Sequence, residues 1–370
     1  MSNTDVLQKY ASHSDPIKAG STANSSIVTG PEYTAPPSST SENQIQLGGE
    51  LATIFKDRGV HPVLIFGSQG SGKTALVASM FRYLMDSAQS GASLELREDI
   101  FPVEDTRWQR QISWARDVYY KKVIDYIYSK APPATLETEP FFIPVKLTRT
   151  TGEEASFAFL EGRGEWYMPV EGEEVPFQRF QGLLQGMLQQ YSGPVTVIYV
   201  APYTTGGYSR SGAVESSQSE SMTRSDLGLL GAINEFITLR KAQFHNDHHL
   251  FLMTKWDIRC DGIASNDFRV PSSDIMENAI QERYRMSWSR FQKLNFPEAG
   301  NNKTFSVYCS GIINEQAVLR PAQDDIETID QYPRKIWDWI YKRHTGQHLY
   351  TDMQPVKESF LDRMIRAIRG

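Results

Sequence analysis

Between the apolar run Val63-Leu64-Ile65-Phe66 and a segment of helical period beginning at Thr74 stands Gly67-Ser68-Gln69-Gly70-Ser71-Gly72-Lys73-Thr74. Few short sequences narrow the choice of folds as sharply. The spacing G-x-x-x-x-G-K-[ST] is that of a phosphate-binding loop, and it lies where such a loop must lie, between a buried strand and a helix. Glycines at 67, 70 and 72 let the backbone bend so that successive N–H groups turn inward toward phosphate oxygens. The start of the following helix adds partial positive charge. Lys73 would reach the outer phosphates and the Thr74 hydroxyl would ligate magnesium.

The rest of the chain reads as the α/β alternation that such a loop requires. Residues 1–44 are rich in Ser, Thr, Asn and Pro without apolar period, and are expected to form a disordered tail. A helix is predicted over Leu47–Arg58, closed by Gly59. The helix after the loop carries Leu76, Val77, Met80, Phe81, Leu84 and Met85 on one face and stops near Gly91. Residues 95–140 form an insertion. Trp108, Ile112, Ala115, Tyr119, Val123 and Tyr126 recur there at steps of three and four, predicting an amphipathic helix.

Phe141–Arg149 and Ala155–Leu160 read as strands joined too tightly for a helical crossover, hence antiparallel. A helix over 176–191 and the strand Val195–Ala201 follow. Residues 203–224 are Ser/Gly-rich and expected to be mobile, with Ser225 capping the next helix, which bears Leu227, Leu230, Ile233, Phe236 and Ile237. The strand Leu250–Asp257, a helix over 273–294, the strand Thr304–Cys309 and a helix over 331–343 complete the pattern. His245, His248 and His249 read as a surface turn rather than a metal site, since no cysteine lies near them.

Composition excludes some functions. A net charge of -6 leaves no cation excess for phosphate backbones, so nucleic acid is not an expected partner. Cys260 and Cys309 fit no zinc or disulfide spacing. With no apolar run of spanning length and no leader pattern, the chain is expected to be soluble and cytoplasmic. Val356–Arg369 sets Phe360, Leu361, Met364, Ile365 and Ile368 on one face and arginines on the other. This amphipathic extension, within 346–370, is expected to dock on the rest of the chain or on a partner, with an acidic membrane surface as the alternative.

Three later segments bear on the choice of nucleotide. Thr254-Lys255-Trp256-Asp257 ends a buried strand, where a carboxylate can accept from the guanine N1–H and exocyclic amine. Adenine offers no such donor pair. The Lys255 stem can cover one face of the base. Alone, the tetrapeptide reads as an ordinary strand end. Cys309-Ser310-Gly311 follows another strand and can aim a backbone N–H at the guanine O6. Glu161-Gly162-Arg163-Gly164-Glu165 follows a third; its first carboxylate can hold magnesium through water, and Gly164 can turn an N–H to a terminal phosphate.

In this order the segments resemble the GTPase domain of the translation-factor and Ras-like P-loop class, over about residues 47–345. The resemblance implies a three-layer fold: a six-stranded, mostly parallel mixed sheet with one antiparallel hairpin strand. It implies binding of GTP or GDP with Mg2+, slow partner-controlled hydrolysis, and protein partners engaged through switch loops or the 95–140 insertion. Lys73, Glu161 and Glu165 would serve catalysis, and Gly67 to Thr74 with Gly164 the phosphates. Thr74, Glu161 and Thr138, with Thr135 as the alternative to the last, would serve the metal. Thr254, Lys255, Asp257 and Ser310 would hold the base.

Two positions depart from the class. Glu161 stands where Asp is usual, and Glu165 where a water-positioning Gln is common. They keep open a scaffold that binds GTP and hydrolyses little, and an ATP-using enzyme remains a further alternative. Arg163, Arg210 and Arg224 are candidates for an arginine finger, though solvated arginines are the commoner case.

Overall fold

The structure, a computed structural model, describes residues 39–68, 70–86, 91–102, 104–116, 141–161, 174–204, 215–261, 269–294, 302–310, 312–313, 319–320 and 326–350. In chain order the elements are α1 (Ser39–Asp57), β1 (Val60–Phe66), α2 (Lys73–Asp86), β2 (Ala92–Leu96), α3 (Thr106–Trp114), β3 (Phe141–Arg149) and β4 (Glu154–Glu161). There follow α4 (Glu174–Gln190), β5 (Thr196–Pro202), α5 (Glu215–Arg240), β6 (His248–Thr254), α6 (Trp256–Asp261), α7 (Ser273–Arg283), α8 (Arg285–Gln292) and β7 (Lys303–Val307). The short pair β8 (Ile312–Ile313) and β9 (Leu319–Arg320) and the helix α9 (Ile326–Thr345) close the series.

The main sheet has seven strands in the order β2-β3-β4-β1-β5-β6-β7. β1 pairs in parallel with β4 on one side and β5 on the other, and β6 and β7 continue in parallel. The chain order therefore reverses at β1. In open α/β sheets the crevice beyond the carboxyl ends of the strands at such a reversal is where ligands bind, and the loop after β1 opens into it. β3 is antiparallel to both β4 and β2, so the predicted hairpin forms in the expected sense.

Side chains alternate across the sheet and give each face an aromatic layer. On one face Phe81 of α2 and Trp337 of α9 pack on Phe157 and Phe159 of β4. On the other, Phe236, Tyr284, Trp288 and Phe291 pack on Phe66, Tyr199 and Phe251. Helices cover both faces of the sheet, as expected of three layers. The α1–α4 contact is made backbone to backbone. A Cβ on Gly186 would collide with the Ile45 carbonyl, and one on Gly48 with the Leu183 carbonyl.

Several expectations are corrected. The sheet has a seventh strand, β2, at the start of the segment read as a helical insertion; α3 within that segment does bury Trp108 and Ile112. α1 begins at Ser39, inside the stretch assigned to the tail. Residues 215–224, assigned to a mobile loop, are the first turns of α5, and Ser225 lies within that helix rather than capping it. Met85 and Leu227 are exposed, not on the buried faces of their helices. The helix expected over 273–294 breaks at Tyr284, whose φ of -126° and ψ of 50° are not helical. His248 and His249 belong to β6 and are buried, and only His245 is exposed. Residues 1–38, most of the insertion and 351–370 lie outside the described residues, and with them the tail and the amphipathic C-terminal stretch.

Candidate functional site

The loop after β1 is shaped by its glycines. Gly70 and Gly72 have φ of +69° and +89°, the left-handed region that a side chain disfavours. Gly67 is required by space: a Cβ there would stand 2.7 Å from the Ser71 hydroxyl and 2.8 Å from the Val200 carbonyl. The Ser71 amide donates to the Ser68 carbonyl at 3.1 Å, closing the turn. α2 then starts at Lys73, so its first amides face the loop. Lys73 is 6% exposed, and its ammonium donates to the carbonyls of Gly67 (2.9 Å) and Ser68 (3.1 Å). A buried ammonium beside a glycine-bent loop and a helix N-terminus is the setting an anionic ligand needs.

The end of β6 is tied to that loop. The Thr254 hydroxyl donates to the Ser71 carbonyl at 2.6 Å, a buried bond that joins the segment expected to read the base to the one expected to hold phosphates. The chain then turns sharply at Lys255, whose φ is +57°. The Lys255 ammonium donates to the Thr204 carbonyl at 3.2 Å; burial lowers its pKa and neighbouring Asp257 works the other way. Asp257 lies in the first turn of α6 with its carboxylate buried. β7 delivers the next segment alongside: the Tyr308 amide donates to the Met253 carbonyl at 2.7 Å, and the Trp256 amide to the Tyr308 carbonyl at 3.3 Å. Ser310 therefore follows β7 beside the start of α6, so Thr254, Lys255, Asp257 and Ser310 gather at one end of the sheet.

Glu161 ends β4, opposite Phe141 in β3 and one residue beyond the Leu160–Leu64 pairing with β1. Its backbone thus reaches the same end of the sheet as the loop. Its side chain, and Gln69, Thr135, Thr138, Arg163, Gly164, Glu165, Arg210 and Gly311, lie outside the described residues. Arg224 is exposed on α5. Among the described residues no group of three or more His, Cys, Asp or Glu side chains is arranged to hold a metal. A magnesium ion bound through a hydroxyl, phosphate oxygens and water needs no such group. The glycine-bent loop at the start of α2, the buried Lys73 and the Thr74 position fit a nucleotide with magnesium, and the buried Asp257 fits a base with paired donors.

The sequence reading missed a second set of residues here. Ser68 and Ser225 hydroxyls lie 3.2 Å apart, and Ser225 lies 3.4 Å from the Tyr284 hydroxyl, which donates to the Pro202 carbonyl at 2.7 Å. Beside them Arg283 stacks over Tyr203 at 3.7 Å, and Tyr203 meets Trp256 edge to face. No local motif announces these contacts, because their members are spread over the loop, the end of β5, α5, α6 and the α7–α8 junction.

No protein-family model and no curated protein matches the sequence. Among solved structures, the chain is similar to a dimerisation-deficient mutant of Toc33 from Arabidopsis thaliana. The identity is 14%, the match covers 84% of this chain and 94% of that one, and the TM-score is 0.36. It is also similar to a chain in the signal recognition particle receptor SRb-GTP/SRX complex from Chaetomium thermophilum. There the identity is 15%, coverage 70% and 94%, and the TM-score 0.33. Neither score carries a functional inference, which rests instead on the residues of the loop and the strand ends.

Proposed function

We propose that this chain binds GTP and GDP with magnesium and works as a slowly hydrolysing, nucleotide-controlled switch or assembly factor of the P-loop GTPase class. The observation that carries the reading is the Thr254–Ser71 bond, because it fixes the Asp257 segment to a loop already built for phosphates. The loop amides and Lys73 hold the phosphates; Asp257 and the Lys255 stem hold the base, with Ser310 beside them. Thr74 would ligate magnesium through its hydroxyl, with Glu161 and Thr138 as its proposed companions. A magnesium ion held there would supply neutralisation of phosphate charge. Glu165 is the proposed group for orienting water. Protein partners are proposed at the switch segments and the 95–140 insertion, in the cytoplasm.

Glutamate at 161 and 165 favours a second reading, a scaffold that binds guanine nucleotide and hydrolyses little. Titrating the nucleotide-stripped full chain with GDP, GTP and ATP in magnesium, then following GTP loss over hours, separates the two. Guanine preference with turnover abolished in Lys73→Ala supports the switch. Guanine preference without turnover supports the scaffold, and equal or better ATP binding overturns both.

A further inference from the structure

The hydroxyl chain from Ser68 to Pro202 has a direction, and the direction assigns a role. The Pro202 carbonyl can only accept, so Tyr284 spends its single proton there, at 2.7 Å. Burial drives the Tyr284 hydroxyl pKa upward, so it remains a donor. Toward Ser225 the Tyr284 oxygen is then an acceptor, so Ser225 donates to it, and Ser68 must donate to Ser225. The Ser68 proton is thus committed away from the mouth of the loop, and Ser68 meets a phosphate through its backbone amide alone.

The far end of this chain is rigid. Ser225 is 2% exposed and Tyr284 is fully buried. The neighbouring Asp226 carboxylate accepts from the Met286 amide (2.9 Å), the Ser287 amide (2.8 Å) and the Ser287 hydroxyl (2.5 Å). It thereby caps the start of α8 from a different helix. α5 is pinned at the residue next to Ser225, so the Ser225 oxygen is a fixed point against which the loop can be held.

We propose that Ser225, oriented by Tyr284, is a positioning residue for the phosphate loop: it holds the Ser68 turn in its anion-binding shape from outside the motif. The inference rests on the nucleotide-binding reading above and adds a residue of α5 to that site. A pre-shaped loop loses less conformational freedom on binding, so the contact acts on affinity even though Ser225 touches no ligand.

The test is a double-mutant cycle on the full chain with Ser68→Ala, Ser225→Ala and the pair, reading the dissociation constant and off-rate of GDP with magnesium and the Tm of the stripped protein. Ile233→Val, a buried change in the same helix away from the chain, is the stability control. Each serine variant should weaken GDP by about 3- to 10-fold, the range of one net hydrogen bond. The double variant should be no weaker than the worse single one, and Ile233→Val should lower Tm while leaving the GDP off-rate unchanged. Additive losses in the double variant, or a lower Tm in Ser225→Ala with wild-type GDP affinity, would overturn the role. Absence of GDP binding by the wild type would overturn the nucleotide reading itself, a result distinct from either.

Discussion

At the scale of single residues the site depends on groups whose value comes from where the backbone puts them. Asp257 is the sharpest case. Its carboxylate is buried at the start of a helix, and in the proposed function it would accept two charge-assisted bonds from guanine. Asp257→Asn replaces one acceptor by a donor that opposes the base. It should cut GDP affinity by about 10- to 100-fold, from losing one charge-assisted bond, while ATP binding stays where it was. Competition titration with the two nucleotides reads this directly. An unchanged guanine preference would remove Asp257 from the site. The loop and the Thr254–Asp257 segment were legible in the sequence because each is contiguous. Ser225 was not. It reads as a helix cap, since serine before an apolar period is the usual cap signal, and only the partners at Ser68 and Tyr284 reveal its place inside α5.

Elements raise a question of sign that geometry settles. Alanine is favoured over glycine in a helix by up to about 1 kcal/mol. At Gly231 in α5 a Cβ meets nothing within 4 Å, so Gly231→Ala should stabilise by up to about 1 kcal/mol. At Gly186 in α4 the same methyl group strikes the Ile45 backbone, which cannot swing aside as a side chain would. Gly186→Ala should therefore destabilise by about 1–3 kcal/mol, overpacking outweighing propensity. Urea unfolding of the two variants against wild type checks both, and equal signs would contradict the close α1–α4 crossing. Sequence period located most helices and all but one strand of the main sheet, while the two-residue strands β8 and β9 are too short to carry a period. It missed β2 because Ala92–Leu96 is short and runs directly into charged residues. It missed the start of α5 because 215–224 is polar and serine-rich, and such a segment becomes helical only through its neighbours.

At the scale of the whole molecule, a second set of buried polar groups among the described residues lies at the end of the strands away from the loop. The Arg240–Asp247 pair is fully buried and doubly bonded, with Arg240 also donating to the carbonyls of Leu188, Tyr191 and Gly193. Beside it three imidazoles meet: His344 of α9 lies 4.1 Å from His61 and 5.3 Å from His248, ring centre to ring centre, and bonds Thr196. Burial lowers His61 and His248 to about 4 and His249 to about 3, and takes His344 well below the usual range; Arg343 further opposes protonation of His248. Folded-state values below the unfolded one mean that the unfolded chain takes up these protons first. The contribution to stability is complete above about pH 6.5 and is lost as pH falls toward 4, by up to about 1.4 kcal/mol per pH unit for each histidine. Denaturation midpoints should be level from pH 8 to 7 and drop between 6.5 and 5, before most carboxylates titrate. A level midpoint through that window would contradict the burial of the cluster.

The strand missing from the sequence reading also changes what the outer margin of the sheet presents to other chains. Without β2, the nine-residue β3 would end the sheet, with a long row of unpaired N–H and C=O groups inviting a strand from another molecule. With β2 in place the margin of the sheet, among the described residues, is the five residues Ala92–Leu96, on which Ser93 and Glu95 are exposed. A short ladder carrying a negative charge is a poor template for strand addition. The extra strand thus replaces a nine-residue edge by a five-residue one, which lowers the capacity of that flank for strand addition.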